Sequence, residues 1–429
     1  MNDRRRKPEP VSGSRPTAAR PLVPDPRAPI PTAVVKTQGA FPLIYRKRVA
    51  DVVGKAQPGD WVLVQTEEGR VLGYGLWNPR SEVAVRLLKH GDELPDESFV
   101  DARLDRAVSL RRDVLQLDAV TDAYRVVHAE SDGFSGLVVD RLGDVLSAEC
   151  FSLGWFQRAP ALLDRLAARL GTKYTLVRAS PQFLSQEGYE PAPIPSEGLP
   201  AQVTIEEHGV RFRVRFEGSH KTGFFCDQRD NRLQIARWCA GKSVLDLCCY
   251  TGGFAVSAKK LGKAAEVTAV DLDEDPLSIA KDNANLNQVR IGCVQADAFT
   301  YMRDRILHGV RYDVVVLDPP KLIRSRLEIE EGTRKHFDLN RLAMRLVKPG
   351  GLLLSCSCAG LLPEAEFMKL LLSAARQAGP ERAPDAEGRV LHDARRMQIL
   401  ARTGAAADHP VASDFPESEY LKAVFMRLE

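Results

Sequence analysis

One stretch, VLDLCCYTGGFAVSAKKLG (Val244 to Gly262), constrains the fold more than any other. A short apolar strand that carries Asp246 near its end runs into a glycine turn. The pattern then predicts a helix from about Phe254 to Gly262, a residue type that commonly ends helices. A second apolar strand, EVTAVD, follows and ends in Asp271. A strand, glycine turn, helix and acid-ended strand form the layout of a nucleotide-cofactor site in a doubly wound α/β domain.

The turn indicates the class of cofactor. It has two adjacent glycines, but neither the three-glycine fingerprint of dinucleotide sites nor the Gly-Lys-Ser/Thr that holds a triphosphate. An acid just before the turn suits a positively charged amino group and a sulfonium better than a pyrophosphate. We therefore predict S-adenosylmethionine as the cofactor. The turn alone would fit a purely structural βαβ connection equally well.

Composition excludes several classes of protein. The chain has 429 residues, 44% of them hydrophobic and 27% charged, as expected for a globular protein of two to four domains. It has no apolar run long enough for a transmembrane helix, and its basic N-terminus lacks the apolar core of a secretory signal. The eight cysteines follow no zinc-binding spacing. We expect reduced thiols in a cytoplasmic protein, without a metal or a membrane.

The sequence divides into four predicted regions. Residues 1–36 contain eight Lys or Arg against three Asp or Glu and are rich in proline, which predicts a disordered basic tail. Residues 37–112 contain short strands, including the hairpin WVLVQT–VLGYGLW, with interleaved aromatic and basic residues typical of a small all-β RNA-binding unit. Residues 113–196 predict a small α+β unit. Residues 197–429 alternate apolar strands with amphipathic helices, which predicts a parallel sheet that is buried on both faces.

Acidic residues lie at the ends of four successive predicted strands: Asp246, Asp271, Asp297 and Asp318. One such acid is explained as a helix cap, but four mark the edge where open α/β sheets bind ligands. Asp318 is followed by Pro-Pro-Lys321, and the prolines must end the strand and stiffen its exit. An acid and a carbonyl held there can recognise the amino group and ring nitrogen of a flipped base.

A later predicted strand, GGLLLSCS, ends at Cys356-Ser357-Cys358. Alternation gives both thiols the same face, but Cys358 lies at the extreme carboxyl edge. A thiolate there can add to carbon 6 of a cytosine, after which carbon 5 can take a sulfonium methyl group. Loss of the carbon-5 proton, to Lys321 or to solvent, and loss of the thiol complete the reaction. The commoner use of such a cysteine is as a small buried hydrophobe.

Residues 37–429 resemble the bacterial family of 23S ribosomal RNA 5-methylcytosine methyltransferases related to the large-subunit methyltransferase I. The resemblance rests on six segments: ESDGFSGLVVDRLGD, GSHKTGFFCDQRDNR, LDLCCYTGGFAVSA, VVLDPPK, GGLLLSCSCAG and ADHPVASDFPESEYLK. It implies an N-terminal PUA domain, a central α+β domain and a Rossmann-like class I methyltransferase domain. The PUA match, around FPLIYRKRVADVVG and GLWNPRSEVAVRLL, is looser.

The resemblance also implies roles for single residues. Cys358 matches the nucleophile of the family, and Asp318 matches the acid that binds the edge of the cytosine. The residues that would hold S-adenosylmethionine are Gln228, Arg229, Asp246, Tyr250, Thr251, Gly252, Asp271, Leu272, Asp297 and Ala298. The chain differs from the family in having Cys356 where an aromatic residue is usual, and in its basic proline-rich tail. The implied partner is 23S ribosomal RNA, naked or in an early subunit, and the oligomeric state stays open, with a homodimer as one option.

Two other functions are compatible with the same residues. Asp-Pro-Pro motifs also serve methylation of amino groups or ring nitrogens, so a purine base in ribosomal RNA is an alternative target. A non-catalytic RNA-binding assembly factor is a second alternative. The presence of both Asp318 and Cys358, together with the cofactor acids, argues against it.

Overall fold

The computed structural model describes residues 18–36, 39, 41–217, 223–380 and 392–429. The first 17 residues of the predicted tail and the GSHKT part of the segment GSHKTGFFCDQRDNR lie outside these ranges. Within the described ranges, no helix is long and apolar enough to cross a lipid bilayer.

The N-terminal domain is a six-stranded sheet. Its strands are β1 (Thr32–Val35), β2 (Leu43–Tyr45), β3 (Val49–Val53), β4 (Trp61–Thr66), β5 (Val71–Trp77) and β6 (Val83–His90). They lie in the order β2-β6-β5-β4-β1-β3. The predicted hairpin is confirmed, since β4 and β5 pair antiparallel. Alternating apolar residues of these strands, among them Val62, Val64 and Val85, are fully buried in the core of the domain.

The prediction that residues 1–36 form a disordered tail is wrong from residue 18 onward. Strand β1 pairs parallel with β4 and antiparallel with β3, and Ala33 and Val35 are buried. The indole Nε1 of Trp61 donates to the carbonyl of Leu22 at 3.1 Å. The proline-rich composition was misleading, because a proline can still accept a hydrogen bond at the start of a strand. Pro31 lies just before β1, and its carbonyl accepts from the Leu63 amide, so the N–H that proline lacks is not needed there.

The central domain is a five-stranded sheet with four helices. The strands are β7 (Ala123–His128), β8 (Leu137–Leu142), β9 (Val145–Cys150), β10 (Tyr174–Ala179) and β11 (Ile194–Pro195). The helices are α1 (Glu97–Ser109), α2 (Leu153–Phe156), α3 (Ala159–Leu170) and α4 (Phe183–Glu187). Helix α1, which the sequence pattern assigned to the first unit, contacts β7 and α3. Its residues Val100 and Leu104 share one core with both sheets.

A hairpin connects the central domain to the C-terminal domain. Its strands are β12 (Gln202–Glu207) and β13 (Val210–Arg215), and they pair antiparallel around the predicted turn at His208-Gly209. Both turn residues have positive φ, 51° and 78°, as expected for the tight turn that matches strand twist.

The C-terminal domain is a seven-stranded sheet between helices. The strands are β14 (Ser243–Leu247), β15 (Glu266–Asp271), β16 (Gly292–Gln295), β17 (Tyr312–Leu317), β18 (Val347–Ser357), β19 (Met397–Thr403) and β20 (Lys422–Leu428). The helices are α5 (Arg229–Ala236), α6 (Gly253–Lys260), α7 (Glu274–Leu286), α8 (Ala298–Leu307), α9 (Ile329–Leu346) and α10 (Glu364–Ala375). The strand order is β16-β15-β14-β17-β18-β20-β19.

The sheet is mixed and not wholly parallel as predicted. Strands β14 to β18 pair parallel, whereas β20 pairs antiparallel with both β18 and β19. Strand β20, KAVFMRL, is buried nearly throughout, so its composition could not distinguish it from a parallel strand. The strand order reverses between β14 and β17, the switch point at which such sheets bind ligands. Asp246 lies near the end of β14, and Asp318 directly follows β17.

Candidate active site

The turn after β14 is held in an uncommon backbone conformation. Cys248 and Tyr250 have φ of 59° and 48°, a region that non-glycine residues seldom adopt, and Gly252 has φ of 77°. A Cβ atom on Gly252 would lie 2.9 Å from the Cβ of Ala280, so only glycine fits there. The side-chain amide of Asn283 donates to the Thr251 carbonyl at 2.9 Å. Strain of this kind persists where the surroundings fix it, which is common at ligand sites.

Asp246 offers a buried carboxylate oxygen to the turn. Its Oδ2 accepts from the Ala255 amide of α6 at 2.9 Å, and its Oδ1 has no hydrogen-bond partner among the described residues. Burial raises the pKa of this carboxyl well above its usual value, and the charges of Asp318 and Asp271 raise it further. A positively charged amino group beside Oδ1 would satisfy that oxygen and favour the ionised form.

Asp271 ends β15 beside the same turn. The Tyr250 amide donates to its Oδ2 at 2.8 Å and the Asp273 amide to its Oδ1 at 3.1 Å. Each carboxylate oxygen can accept a second bond, so both hydroxyls of a ribose can be bound there. The next side chain, Leu272, is 63% exposed and supplies an apolar surface for an adenine ring. Together with Asp246, these residues fit S-adenosylmethionine.

Asp297 and Ala298 follow β16 on the same edge of the sheet. Asp297 Oδ1 accepts from the Thr300 amide at 2.9 Å and caps α8, so the ordinary helix-cap role accounts for this acid. Ala298 is the first residue of α8 and is partly exposed. A contact of either residue with the cofactor stays a prediction.

Gln228 and Arg229 lie where the chain enters α5, and their side chains have different partners. The guanidinium of Arg229 is buried and forms a two-pronged ion pair with Asp408, with Nη2–Oδ1 at 2.7 Å and Nη1–Oδ2 at 3.2 Å. The side chain is thus paired within the protein, and a contact of Arg229 with the cofactor stays a prediction. Gln228 is buried and accepts from the Asn231 amide at 2.7 Å, and it hydrogen-bonds the Cys356 thiol.

The two thiols of β18 differ in access. Cys356 lies within the strand and is fully buried, and burial, followed by the charge of Asp318, raises the pKa of its thiol well above the usual value. Cys358 lies just past the strand end and is partly exposed. Asp318, also partly exposed, follows the neighbouring strand β17, and its amide donates to the Leu247 carbonyl of β14 at 3.4 Å. The accessible thiol is therefore that of Cys358.

Lys422 is a residue of this site that the sequence pattern did not reveal. It is 6% exposed, and its Nζ donates to the carbonyls of Ala359 at 2.6 Å and Tyr420 at 2.8 Å. Burial lowers the pKa of its ammonium to about 8, and the charges of Cys358 and Lys321 act on it in opposite directions. The sequence signal that could have identified it is a lysine at the start of the otherwise largely apolar strand β20, KAVFMRL. Its position beside Cys358 follows from the antiparallel pairing of β20 with β18.

We expect Lys422→Met to slow alkylation of Cys358 by iodoacetamide several-fold at pH 7, because a neighbouring positive charge favours the reactive thiolate. The native ammonium loses its proton as the pH rises through about 8. The difference between the native protein and the variant should therefore shrink above that pH. Mass spectrometry of the Cys358 peptide measures the rate.

Two variants control this experiment. Lys422→Arg keeps the charge and should retain most of the native alkylation rate. Lys369→Met removes a lysine from the exposed face of α10, where it pairs with Glu366, and should change nothing. Equal alkylation rates in the native protein and Lys422→Met at pH 7 would contradict the electrostatic role of Lys422.

We expect Asp271→Asn to raise the dissociation constant for S-adenosylmethionine by roughly 10- to 100-fold, the effect of losing hydrogen bonds to a charged group. The asparagine can still accept from the Tyr250 amide, so the turn is preserved. The matched control is Asp273→Asn, because that exposed side chain makes no capping bond to α7. Calorimetric titration of the full chain measures both affinities, and an unchanged affinity in Asp271→Asn excludes the ribose contact.

Family models match two parts of the chain. A family model of S-adenosylmethionine-dependent methyltransferases matches residues 186–380, and a model of PUA-like domains matches residues 31–90. The second match begins just before β1, in agreement with the ordered strand found there.

Solved structures share the fold. A proposed S-adenosylmethionine-dependent methyltransferase from Streptococcus mutans superposes with a TM-score of 0.74 at 18% identity, covering 92% of this chain and 99% of that one. A second proposed methyltransferase, solved in complex with SAH, gives a TM-score of 0.72 at 19% identity over 90% of this chain and 95% of its own. At such identities the likeness concerns the fold alone.

Curated relatives are closer in sequence and match nearly the whole chain. Ribosomal RNA large subunit methyltransferase I of Shewanella denitrificans is 36% identical over 381 residues, which cover 87% of this chain and 92% of the relative. The protein of the same name from Salmonella arizonae is 34% identical over 393 residues, which cover 90% and 93%. The chain therefore belongs to the family of the ribosomal RNA large subunit methyltransferase I, with a PUA-like domain and a class I S-adenosylmethionine-dependent methyltransferase domain.

Proposed function

We propose that the protein methylates carbon 5 of a cytosine in 23S ribosomal RNA through a covalent adduct with Cys358. The observation that carries this proposal is the accessible thiol of Cys358 at a strand end that neighbours Asp318, on the same sheet edge as the cofactor turn. A purine methyltransferase would need no nucleophile there. The family relationship supports ribosomal RNA as the substrate, and a PUA-like domain is suited to binding it.

Bound S-adenosylmethionine supplies an electrophilic methyl group. The residues of the chain prepare the base to accept it. The Cys358 thiolate forms a bond to carbon 6 of the cytosine, and the electron pair of the 5,6 double bond makes carbon 5 nucleophilic. After carbon 5 has gained the methyl group, its proton leaves to a base, for which we propose Lys321. The double bond then re-forms and expels the thiolate, which restores the enzyme.

Asp318 is proposed to hold the base in place during these steps. Pro319 and Pro320 fix the chain directly after it, so its carboxyl group and the adjacent carbonyls present a rigid edge to the amino group and ring nitrogen of cytosine. Lys422 is proposed to keep Cys358 reactive, because its ammonium is held at the Ala359 carbonyl, one residue from the thiol.

A covalent trap tests the proposal. A 23S transcript that contains 5-fluorocytidine should form a complex with the native protein and S-adenosylmethionine that resists denaturant, because fluorine cannot leave carbon 5 as a proton does. Digestion should place the attached nucleotide on the Cys358 peptide. A 16S transcript with the same substitution is the control for RNA specificity. Methylated purine in the digested 23S RNA, with no trapped complex, would overturn the proposal.

A further inference from the structure

A cavity of about 290 Å³ lies between the central and C-terminal domains. Its walls include Glu149, Phe151 and Ser180 from the central domain, and Phe225 and Tyr420 from the C-terminal domain. Among the described residues, those that line it include neither Asp318 nor Cys358. Of the residues given a role in the proposed reaction, only Lys321 is among the described residues that line it, so the cavity adjoins the place proposed for the target cytosine.

The walls of the cavity suit a flat, unpaired base. Its volume is close to the lower limit of small-molecule sites. Phe151, Phe224, Phe225 and Tyr420 all line it, and aromatic side chains are the surfaces on which proteins stack single-stranded bases. The ring of Phe225 is itself fixed by an edge contact with Tyr250 of the cofactor turn, at 5.1 Å between centroids.

The hydroxyl of Ser180 is a buried polar group in the wall of the cavity. Ser180 is 5% exposed, and its hydroxyl has no hydrogen-bond partner among the described residues. A buried hydroxyl without a hydrogen bond is unfavourable, and the edge of a base in the cavity would satisfy it. The adjacent Gln182 is exposed, and its side-chain amide can both donate to and accept from the edge of a base.

Tyr420 connects this cavity to the catalytic edge. Its phenol lines the cavity and donates to Asp227 at 2.6 Å, while its carbonyl accepts from Lys422 at 2.8 Å. Lys422 in turn donates to the carbonyl of Ala359, the residue after Cys358. The segment from Tyr420 to Lys422 therefore borders the cavity at one end and bonds to the residue after Cys358 at the other. Two consecutive nucleotides of an RNA strand can supply one base to the cavity and one to the thiol.

We propose that this cavity binds a second nucleobase of the substrate RNA, turned out of the stack from a nucleotide adjacent to the methylated cytosine. This proposal rests on the proposed function, because it takes RNA as the substrate. Recognition of the second base would add to the selection of one cytosine among many.

The test uses a short RNA around the methylated cytosine and variants with an abasic nucleotide at each neighbouring position. With the native protein, we expect one abasic position to lower kcat/KM about tenfold or more, the usual effect of losing one base stacked on aromatic side chains. Ser180→Leu places a larger side chain in the cavity. This variant should have a lower kcat/KM for the intact RNA than the native protein has. In this variant, the abasic substitution should lower kcat/KM by less than about a further twofold.

Two further measurements keep the test decisive. Ser98→Leu, on the exposed face of α1, is the control and should retain the full abasic penalty. Photocrosslinking of 4-thiouridine at the sensitive position to the native protein should label peptides that carry Phe151, Phe224 or Phe225. An abasic penalty of equal size in Ser180→Leu and the native protein, or crosslinks only elsewhere, overturns the proposal. If cytosine is methylated but no abasic position lowers kcat/KM, the proposed role of the cavity is refuted and the proposed function stands. If no cytosine is methylated, the proposed function itself is refuted.

Discussion

Cys358→Ala should lower methyl transfer to 23S ribosomal RNA by about 10⁴-fold or more, the scale of loss when a covalent nucleophile is removed. Without the bond to carbon 6, carbon 5 of cytosine is too weak a nucleophile to take a methyl group. Binding of S-adenosylmethionine should be nearly unchanged, because Asp246 and Asp271, the acids predicted to hold the cofactor, lie on β14 and β15 and not on β18. Single-turnover transfer of a labelled methyl group measures the rate, and calorimetry measures the binding.

Cys356→Ala is the matched control for the same experiment. Its thiol is fully buried, and the pKa of that thiol is raised by burial, so it can neither reach the base nor ionise readily. We expect the variant to lose some stability through a small cavity and to keep its methyl transfer within a few-fold. Full activity in Cys358→Ala, or a complete loss confined to Cys356→Ala, would show that the nucleophile is assigned to the wrong residue.

The parts of this site that could be predicted from the sequence are those set by local pattern. Apolar strands followed by a glycine turn or by Pro-Pro specify where a strand ends, and parallel strands bring those ends to one edge. This pattern is sufficient to place Asp246, Asp271 and Asp318 at the edge of the sheet where they lie. The burial of Cys356 and the exposure of Cys358 follow from the same argument, because one lies inside its strand and the other just beyond it.

The parts that could not be predicted depend on contacts between distant segments. Lys422 reaches Cys358 only because β20 pairs antiparallel with β18, and an apolar strand does not show its direction by composition. The order of residues 18–36 depends on the pairing of β1 with β4 and β3. The pairing of Arg229 was not predicted either, because its partner Asp408 is 179 residues away along the chain.

Asp408 is the centre of a charged network that joins two domains. Besides its pair with Arg229, its Oδ2 accepts from the Arg125 amide at 2.8 Å and its carbonyl from Arg111 Nη2 at 2.7 Å. Burial alone would raise the pKa of this carboxyl, but His409 and Arg229 hold it well below the usual value. Arg111 and Arg125 belong to the central domain and Arg229 to the C-terminal domain, so one acid bonds to both.

We expect Asp408→Ala to lower the free energy of unfolding at pH 7 by about 3–5 kcal/mol, because it leaves the buried Arg229 guanidinium without its counterion. Asp144→Ala is the control: that acid pairs with Lys173 at the surface, and its loss should cost about 1 kcal/mol or less. Urea unfolding, followed by circular dichroism, measures both. If both variants lose a similarly small free energy of unfolding, the buried pair of Asp408 and Arg229 contributes no more stability than the surface pair of Asp144 and Lys173.

The pH dependence of this difference follows from the sign of the shift. The folded state holds the pKa of Asp408 below its unfolded value, so the stabilisation is fully present above about pH 4 and is lost as the pH falls further. The difference in free energy of unfolding between the native protein and Asp408→Ala should therefore be constant from pH 7 to 5 and become smaller below pH 4. The double variant Arg229→Met/Asp408→Ala should be less destabilised than the sum of the single variants, because it removes both buried charges. Strict additivity would mean that the pair of Arg229 and Asp408 contributes no interaction energy of its own to the free energy of unfolding.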